Sequence, residues 1–242
     1  MVSKDSELDN VSLADLVFEA TVQIPEGMVS TYGDVAKALG DVRASRVVGM
    51  ILSSNPRPIV VPCHRVVYSN GQVGWYSGKG KGAGTKTELL RKEGLDIKDG
   101  VIRDWDIPRF KDFHVRPVLR EMADLQDRLA AMVRETGSPE FDKVVGLDVS
   151  YEGDRAFAAA AIINLDGGME VRTARTQVLF PYVPTYLGFR ELPAYVPLLE
   201  GLDNSLIFID GQGRLHPRGA GIACQVGLRT GLPTIGAAKS LL

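Results

Sequence analysis

One short segment of the chain places a nucleophile beside two groups that can activate it. Cys63 is followed directly by His64 and Arg65 and is preceded by a proline. A neighbouring imidazole and guanidinium favour the thiolate, which is the nucleophilic form of cysteine. The proline restricts the backbone before the thiol and indicates a rigid presentation. We therefore expect Cys63 to be a reactive nucleophile.

The composition indicates a globular chain without a membrane or secretion segment. It has 242 residues, of which 45% are hydrophobic and 24% charged, enough for one or two domains with buried cores. No apolar run approaches the ~20 residues that a membrane span requires, and the N-terminus lacks a secretion signal. Cys63 and Cys224 match no disulfide or zinc spacing. We expect no membrane partner. The expected location is either the cytoplasm, in association with the nucleoid, or the nucleus.

Positive charge is concentrated around the thiol. Residues 27–94 contain 10 Lys and Arg against 4 Asp and Glu, although the whole chain has a formal charge of −2. This excess favours an anionic partner such as nucleic acid, and a solvated basic surface is the alternative interpretation.

The residue pattern of the first segment predicts helices and one hairpin. Helices are expected at 13–23, 34–39, 44–53 and 86–93, and a hairpin at 66–76. The second and third helices, joined by a tight turn, predict a helix-turn-helix, and a small helical core is the alternative. Residues 96–113 are polar and predict a connector.

The second segment predicts an α/β sheet. After a helix at 116–135, strands are expected at 144–151, 157–163 and 171–179. A helix to residue 199, a strand at 206–210, a helix at 221–230 and a strand at 234–239 follow. Strands mixed with helices in this order are typical of a sheet covered by helices. The predicted domains are 1–106 and 116–242, with a linker at 107–115.

Residues 24–95 closely resemble the C-terminal, DNA-binding half of the O6-alkylguanine-DNA alkyltransferases. The motifs that carry the resemblance are Ile24-Pro-Glu-Gly27, Thr31-Tyr-Gly33, Arg46-Val-Val-Gly49, Asn55-Pro56, Val61-Pro-Cys-His-Arg-Val66, Ser69-Asn-Gly71, Tyr76-Ser-Gly78 and Leu89-Leu-Arg-Lys-Glu-Gly94. The resemblance implies a winged helix-turn-helix domain that irreversibly transfers an alkyl group from guanine O6 in double-stranded DNA to the cysteine, without a metal or cofactor.

The same resemblance implies a role for each matching residue. Cys63 would accept the alkyl group, His64 would take the thiol proton through a water molecule, and Glu93 would orient the imidazole. The damaged base must leave the helix to reach the thiol. The other implied roles are a hydrogen bond to the departing guanine from Tyr32, a hinge at Asn55, a contact on the O6 side from Ser77, insertion of Arg46 into the vacated space, and DNA contacts from Ser45 and Arg65.

The second segment resembles endonuclease V, which has an RNase H-like α/β fold. The matching stretches are Gly146-Leu-Asp-Val-Ser-Tyr151, Pro181-Tyr-Val-Pro-Thr-Tyr-Leu-Gly-Phe-Arg-Glu191, Ile209-Asp-Gly-Gln-Gly213, His216-Pro-Arg218 and Leu232-Pro-Thr-Ile-Gly-Ala-Ala-Lys239. The resemblance implies cleavage of DNA near a deaminated base such as hypoxanthine. It also implies that the domain is incomplete at its C-terminus, so we expect an exposed apolar sheet face and a possible route to oligomers.

Three carboxylates of this segment are candidate metal ligands. Asp148 and Asp210 lie on strands that can be neighbours, and Glu191 can join them from the intervening segment. Three oxygen ligands suit Mg²⁺ or Mn²⁺, which activates water for phosphodiester cleavage. The resemblance assigns DNA contacts to three further residues, namely the wedge Tyr182, the phosphate-stabilising Lys239 and His216.

Two alternatives to this bifunctional interpretation stay open. Alkyltransferase-like proteins bind the lesion without the cysteine, and a cysteine hydrolase would turn over repeatedly. The presence of Cys63 favours single transfer over the first. The second segment is either a weakened metal nuclease or a non-cleaving structural or targeting module.

Overall fold

The computed structural model describes residues 8, 11–75, 82–104, 106, 108–135 and 137–239. The chain divides into two compact units between Arg120 and Glu121. Within the described ranges, no helix has the length and apolar character needed to cross a bilayer. The predicted fold class is confirmed, because a helical unit is followed by a unit with a mixed α/β sheet.

The first unit consists of helices joined by very short strands. Its elements are α1 (Leu13–Val22), β1 (Ser30–Thr31), α2 (Tyr32–Ala38), α3 (Ser45–Ser53), β2 (Val66–Val67), α4 (Gly82–Lys92), β3 (Ile97–Lys98) and β4 (Val101–Ile102). The four predicted helices are confirmed, with shifts of a few residues at their ends.

The helix-turn-helix is fixed by local interactions at both ends of α2. Thr31 caps the helix, since its Oγ1 accepts a hydrogen bond from the Asp34 backbone nitrogen at 3.0 Å and Asp34 reciprocates. At the other end, Gly40 has a φ of +107°, and a Cβ there would collide with the Arg120 backbone. Glycine therefore allows the sharp turn into α3.

The predicted hairpin at 66–76 is present only at its turn, where the Tyr68 nitrogen donates to the Gln72 oxygen at 3.0 Å. Strand β2 pairs in parallel with β1, with Val66 opposite Ser30. The chain does turn after β2, but the returning residues bond to the next hairpin, with the Val73 nitrogen donating to the Gly100 oxygen at 2.9 Å. Beyond that turn, the described residues of the predicted hairpin pair with two distant segments.

The predicted polar connector at 96–113 also needs correction. Ile97 and Ile102 are buried on the hairpin of β3 and β4, in one cluster with Val29 and Val67. Farther along, Arg109 forms an ion pair with Asp34 at 2.8 Å. In the hairpin, exposed polar residues stand next to buried apolar ones. The average composition of the segment is therefore polar although part of it is buried. The domain limits at 106 and 116 stay a prediction.

The second unit is built on one sheet covered by helices on one face. Its elements are α5 (Val118–Met132), which begins just before the division, β5 (Lys143–Glu152), β6 (Arg155–Asn164), β7 (Met169–Gln177), α6 (Leu187–Leu199), β8 (Ser205–Asp210), α7 (Ile222–Thr230) and β9 (Thr234–Ala237). In the described residues the sheet order is β7-β6-β5-β8-β9, with β5, β8 and β9 parallel and the others antiparallel. The predicted strands are confirmed.

The two faces of this sheet differ. Val145, Leu147 and Ile209 point into a core that contains Leu192 of α6 and Ile222 of α7. Because strand side chains alternate, the residues between them belong to the opposite face. The apolar residues on that face that are more than one third exposed are Phe157, Ile163, Met169, Val171, Phe208 and Ile235.

Candidate functional sites

The thiol lies at the start of a short turn that the sequence itself dictates. Cys63, His64 and Arg65 form a single 3₁₀ turn between Pro62 and β2. The proline fixes the entry to this turn, and the Arg65 nitrogen donates to the Pro62 oxygen at 2.8 Å. Cys63 is only 8% exposed. The thiol is therefore buried and lies in a hydrogen-bonded turn.

Asn55 connects the end of α3 to the thiol. Its Nδ2 donates to the Val61 oxygen at 2.9 Å and to Sγ of Cys63 at 3.2 Å. The amide thus holds the sulfur in a fixed position at the end of α3. Asn55 therefore joins α3 to the cysteine segment and contacts the sulfur, and its role as a hinge stays a prediction.

A chain of charged groups begins at the residue after the thiol. His64 Nε2 lies 2.7 Å from Oε1 of Glu93, which is at the end of α4. Arg65 donates to the same carboxylate from Nε and Nη2, at 2.9 to 3.1 Å. The other ring nitrogen of His64, Nδ1, is buried without a hydrogen-bond partner among the described residues. With Nε2–H donated to the carboxylate, Nδ1 carries a lone pair that can accept a proton.

Burial and charge set the protonation of this chain. Burial lowers the pKa of His64 below its usual value of 6.5, and the hydrogen bond with Glu93 opposes that shift. Burial alone would raise the pKa of Glu93, but hydrogen bonds from Arg65 and His64 outweigh it and lower the value. Near neutral pH the imidazole is therefore a neutral base held by an ionised carboxylate.

The predicted DNA contact of Arg65 is not what the structure favours. Its guanidinium also donates to the Ile24 oxygen at 2.8 Å and its side chain is largely buried. Because Nε and Nη2 donate to Glu93 and Nη1 donates to Ile24, Arg65 holds the carboxylate in place, and its DNA contact stays a prediction.

A pocket of about 780 Å³ opens above the thiol. Its walls include Tyr32, Ser45, Arg46 and the exposed Trp75. This volume lies within the range of small-ligand sites. The expected residues of α2 and α3 thus share one cavity with Cys63. Ser77 lies outside the described residues.

Lys86 is a pocket residue that sequence reasoning missed. It is 1% exposed, and its Nζ donates to the Val66 oxygen at 2.6 Å and lies 5.7 Å from the centre of the Tyr32 ring. Burial lowers the pKa of Lys86 to about 8, while the nearby Cys63 opposes the shift. The available signal was its spacing of four residues from the buried Leu90 on α4, which places both on one helix face.

Burial also fixes the state of Tyr32. It raises the pKa of this hydroxyl to about 12, with smaller contributions from Tyr68 and Cys63. The hydroxyl therefore keeps its proton near neutral pH and is able to donate a hydrogen bond into the pocket.

In the second unit, two carboxylates lie side by side on neighbouring strands. Leu147 of β5 pairs with Ile209 of β8, so that Asp148 and Asp210 occupy the next positions on the same face. Both aspartates are exposed, and Lys239 Nζ lies 2.7 Å from Oδ2 of Asp210. The convergence of these two residues follows directly from the parallel register.

Glu191 is held by hydrogen bonds from two tyrosines. It is buried on α6, where Tyr151 and Tyr195 donate their hydroxyls to its two oxygens at 3.1 and 3.3 Å. Burial raises the pKa of Glu191, with the two hydroxyls opposing. Across the described residues, no three carboxylate, histidine or cysteine side chains are placed to hold one metal ion. The charge of Asp148 contributes to the raised pKa of Glu191, so the two carboxylates are neighbours, and the three-ligand arrangement stays a prediction.

A smaller cavity of about 140 Å³ lies beside the aspartate pair. Tyr182, Asp210, His216 and Lys239 contribute to its wall, so the predicted DNA contacts share one region. Tyr182 is half exposed. His216 is buried and its Nε2 lies 3.0 Å from the Thr185 oxygen. His216 therefore supports the loop that carries Tyr182, and its predicted DNA contact stays a prediction.

Comparison with known proteins divides the chain in the same way. Residues 12–95 match the family model of the DNA-binding domain of 6-O-methylguanine DNA methyltransferase, and residues 126–242 match that of endonuclease V. The bifunctional methyltransferase/endonuclease of Thermoplasma volcanium is 36% identical over the whole chain, which covers 74% of that protein. That of Picrophilus torridus is 36% identical over 97% of the chain and 77% of the relative.

A solved structure similar to the second unit is that of Ciona intestinalis endonuclease V in complex with DNA that contains an inosine. It is 25% identical with a TM-score of 0.47, and the match covers 51% of this chain and 58% of that one.

Proposed function

Since the chain belongs to the bifunctional methyltransferase/endonuclease family, we propose that its first unit transfers one alkyl group from O6-alkylguanine in DNA to Sγ of Cys63. The observation that carries this proposal is a buried thiol that accepts a hydrogen bond from Asn55 and is followed by the His64–Glu93 pair. This pair leaves Nδ1 of His64, the residue next to Cys63 in the chain, without a hydrogen-bond partner among the described residues. Nucleophile, base and orienting carboxylate form the arrangement that nucleophilic catalysis requires.

The proposed step needs no cofactor. The thiol proton passes through water to Nδ1 of His64, and Sγ attacks the alkyl carbon. The S–C bond forms as the bond from that carbon to O6 breaks, and its electron pair goes to the guanine. The guanine takes up one proton, so the products are an unmodified base and a thioether. A thioether cannot return to a thiol under these conditions, and the chain accepts only one group.

Two buried groups stabilise the charges of this step. Lys86 is a buried group within electrostatic range of Cys63, where its charge stabilises negative charge on the attacking sulfur. Tyr32 keeps its proton and donates a hydrogen bond to the guanine as negative charge develops there. Arg46 and Ser45, on the pocket wall formed by α3, contact the DNA from which the base has been turned out.

The stoichiometry of transfer tests this proposal. After incubation with excess O6-methylguanine duplex, we expect the intact mass of the chain to increase by one methyl group and no more. Peptide mapping should place it on Cys63, with Cys224 unmodified. Release of free methyl product in repeated turnovers would instead indicate a hydrolase, and binding without any mass change would indicate a lesion-binding protein.

The pH dependence of transfer reports on His64. Its folded pKa lies below 6.5, so the imidazole is neutral at higher pH and becomes protonated as the pH falls through that value. We expect the single-turnover rate to stay level around neutrality and to fall only in the acidic range. Glu93→Gln should lower the plateau about 10- to 100-fold, the equivalent of one hydrogen bond to a charged group.

The acidic limb separates a catalytic effect of Glu93→Gln from a general loss of structure. Glu93 raises the pKa of His64, so its removal should move the fall in rate to lower pH. If Glu93→Gln lowered the rate near neutrality but left the pH of the acidic fall unchanged, the proposed pairing of Glu93 with His64 would be contradicted. Matched Glu88→Gln, on the exposed side of α4, should leave both plateau and limb as they are.

For the second unit we propose metal-dependent cleavage of DNA at deaminated bases, as with the inosine-containing DNA bound by the Ciona relative. Asp148 and Asp210 fit a divalent ion such as Mg²⁺ or Mn²⁺, because oxygen ligands suit these hard cations. A bound ion would supply a water molecule activated for attack on a phosphodiester. Lys239 stabilises phosphate charge, Tyr182 enters the duplex, and Glu191 acts from its tyrosine-held position beside the pair.

The alternative for this unit is a non-cleaving module that targets the first unit to DNA. The hydrogen bonds that Tyr151 and Tyr195 donate to the buried Glu191 favour it, because they occupy both oxygens of that carboxylate. Cleavage of hypoxanthine-containing DNA, tested with each metal, decides between the two functions.

A further inference from the structure

One residue of the loop before α6 has a backbone conformation that its side chain disfavours. Thr185 has a φ of +71°, in the left-handed region. Most other non-glycine residues with positive φ among the described residues are aspartate or asparagine, which tolerate it. A β-branched residue does so only where its surroundings compel it, and such strain is concentrated at functional sites.

Three hydrogen bonds hold Thr185 in this conformation. Its carbonyl oxygen accepts from Nε2 of Gln126 at 2.9 Å and lies 3.0 Å from Nε2 of His216. Its hydroxyl accepts from Nη1 of Arg218 at 2.9 Å. Gln126, His216 and Thr185 are all less than 9% exposed, so these bonds form away from bulk water.

The partners of Thr185 also fix one another. The Arg218 backbone nitrogen donates to Nδ1 of His216 at 3.1 Å, so Nε2 of that ring carries the hydrogen and donates to Thr185. Arg218 also donates to Oε1 of Gln126 at 2.9 Å and to the Tyr186 hydroxyl at 3.0 Å. Its guanidinium lies 4.7 Å from the centre of the Tyr186 ring. The result is a closed network around one strained residue.

This network lies directly behind the loop that presents Tyr182. Thr185 and Tyr182 both contribute to the wall of the cavity that ends at Asp210 and Lys239. The turn between them is closed by a hydrogen bond from the Tyr186 nitrogen to the Val183 oxygen at 3.0 Å. Residue 185 therefore lies in the turn that directly follows Tyr182.

We propose that Arg218, through Gln126 and His216, locks Thr185 in its left-handed conformation and that this positions Tyr182 for lesion-containing DNA. The inference rests on the proposed DNA binding of the second unit. Arg218 is a positioning residue in this scheme, since it acts through Thr185 and not on the DNA. Glycine adopts a positive φ without cost, so Thr185→Gly should keep this conformation without the hydrogen bonds from Arg218 and its partners.

A double-mutant cycle tests this dependence. The readout is the affinity for a hypoxanthine-containing duplex, measured by fluorescence anisotropy without divalent cations. We expect Arg218→Lys to weaken binding about 10-fold in the unaltered chain, and by less than about 3-fold in a Thr185→Gly background. Equal losses in the two backgrounds would overturn the proposal.

Asn204 provides a matched control. It also has a positive φ, of +48°, but lies in the turn before β8. In an Asn204→Gly background, Arg218→Lys should still weaken binding about 10-fold. Rescue by this distant glycine as well would show that glycine relieves instability in general, and it would count against a specific lock on Thr185.

Thermal unfolding tests the strain independently of DNA. Thr185→Ala and Thr185→Gly both lose the hydroxyl, but only alanine keeps a Cβ that disfavours the left-handed region. The alanine variant should unfold about 4 °C below the glycine variant. An alanine variant of equal or higher stability would overturn the proposal. If the unaltered chain failed to prefer the lesion duplex, the proposed DNA function would fail, while this comparison would still decide on the lock.

Discussion

Replacing Cys63 with alanine should abolish methyl transfer to the chain. Its sulfur is the atom that Asn55 contacts and that the pocket exposes to a ligand. The neighbouring Tyr32 hydroxyl, with a pKa raised by burial to about 12, stays protonated and cannot replace it. We expect a loss of roughly 10⁴-fold or more, as for removal of other catalytic nucleophiles. The measurement is the intact mass after incubation with O6-methylguanine duplex.

Cys224→Ala is the matched control. Cys224 is also buried, in α7, and burial raises the pKa of its thiol, so it is a poor nucleophile. This variant should still accept one methyl group at the normal rate. If Cys63→Ala still accepted the methyl group and Cys224→Ala did not, the reaction would belong to the second unit. That result would refute the proposed mechanism.

Lesion binding distinguishes loss of chemistry from loss of fold. Alanine at 63 removes only a small, nearly buried group, and the Tyr32 and Arg46 walls of the pocket stay in place. We expect Cys63→Ala to bind the O6-methylguanine duplex with nearly normal affinity. A variant that neither binds nor accepts the methyl group would indicate that the sulfur has a structural role.

The thiol site could largely be predicted from sequence because its key contacts are short-range or arise from one helix end. His64 and Arg65 follow the thiol directly, and the motif at the end of α4 supplies Glu93. The contact between His64 and Glu93 spans 29 residues, and only the resemblance to a family implied it. The role of Arg65 could not be predicted, because the same guanidinium suits a carboxylate and a phosphate equally well.

Tertiary pairing explains most of the remaining errors. A two-residue strand such as β2 carries too little pattern to reveal whether its partner is the next segment or the distant Ser30. Lys86 is charged, and its burial depends on a carbonyl oxygen twenty residues away. Such placements follow from the packed structure and leave almost no trace in local residue types.

The carboxylate site shows the same limit at a larger scale. The β5–β8 register brings Asp148 and Asp210 together, and strand periodicity could predict this once the strands were known. The orientation of Glu191 depends instead on two tyrosines, of which Tyr195 is one helical turn away and Tyr151 lies on β5. No spacing rule specifies that a carboxylate faces these hydroxyls.

Asp148→Asn should abolish metal-dependent cleavage by the second unit. Asparagine keeps the size of the side chain and removes the charge that, with Asp210, attracts a divalent ion. We expect at least roughly a 10³-fold loss of nicking of hypoxanthine-containing duplex, with either Mg²⁺ or Mn²⁺ present. Cation affinity, measured by calorimetry on the full chain, should fall in parallel, which ties the loss to the ion. Asp148 is exposed, so the folded structure should be retained.

Asp166→Asn serves as the control, because Asp166 is an exposed carboxylate in the turn between β6 and β7, away from the aspartate pair. It should cleave and bind cations as the unaltered chain does. Cleavage that is equally fast in Asp148→Asn would exclude the aspartate pair as the metal site. If the unaltered chain binds the lesion duplex but cuts it with neither metal, the second unit is a targeting module. In that case the buried Glu191, held by Tyr151 and Tyr195, is a structural residue of its core.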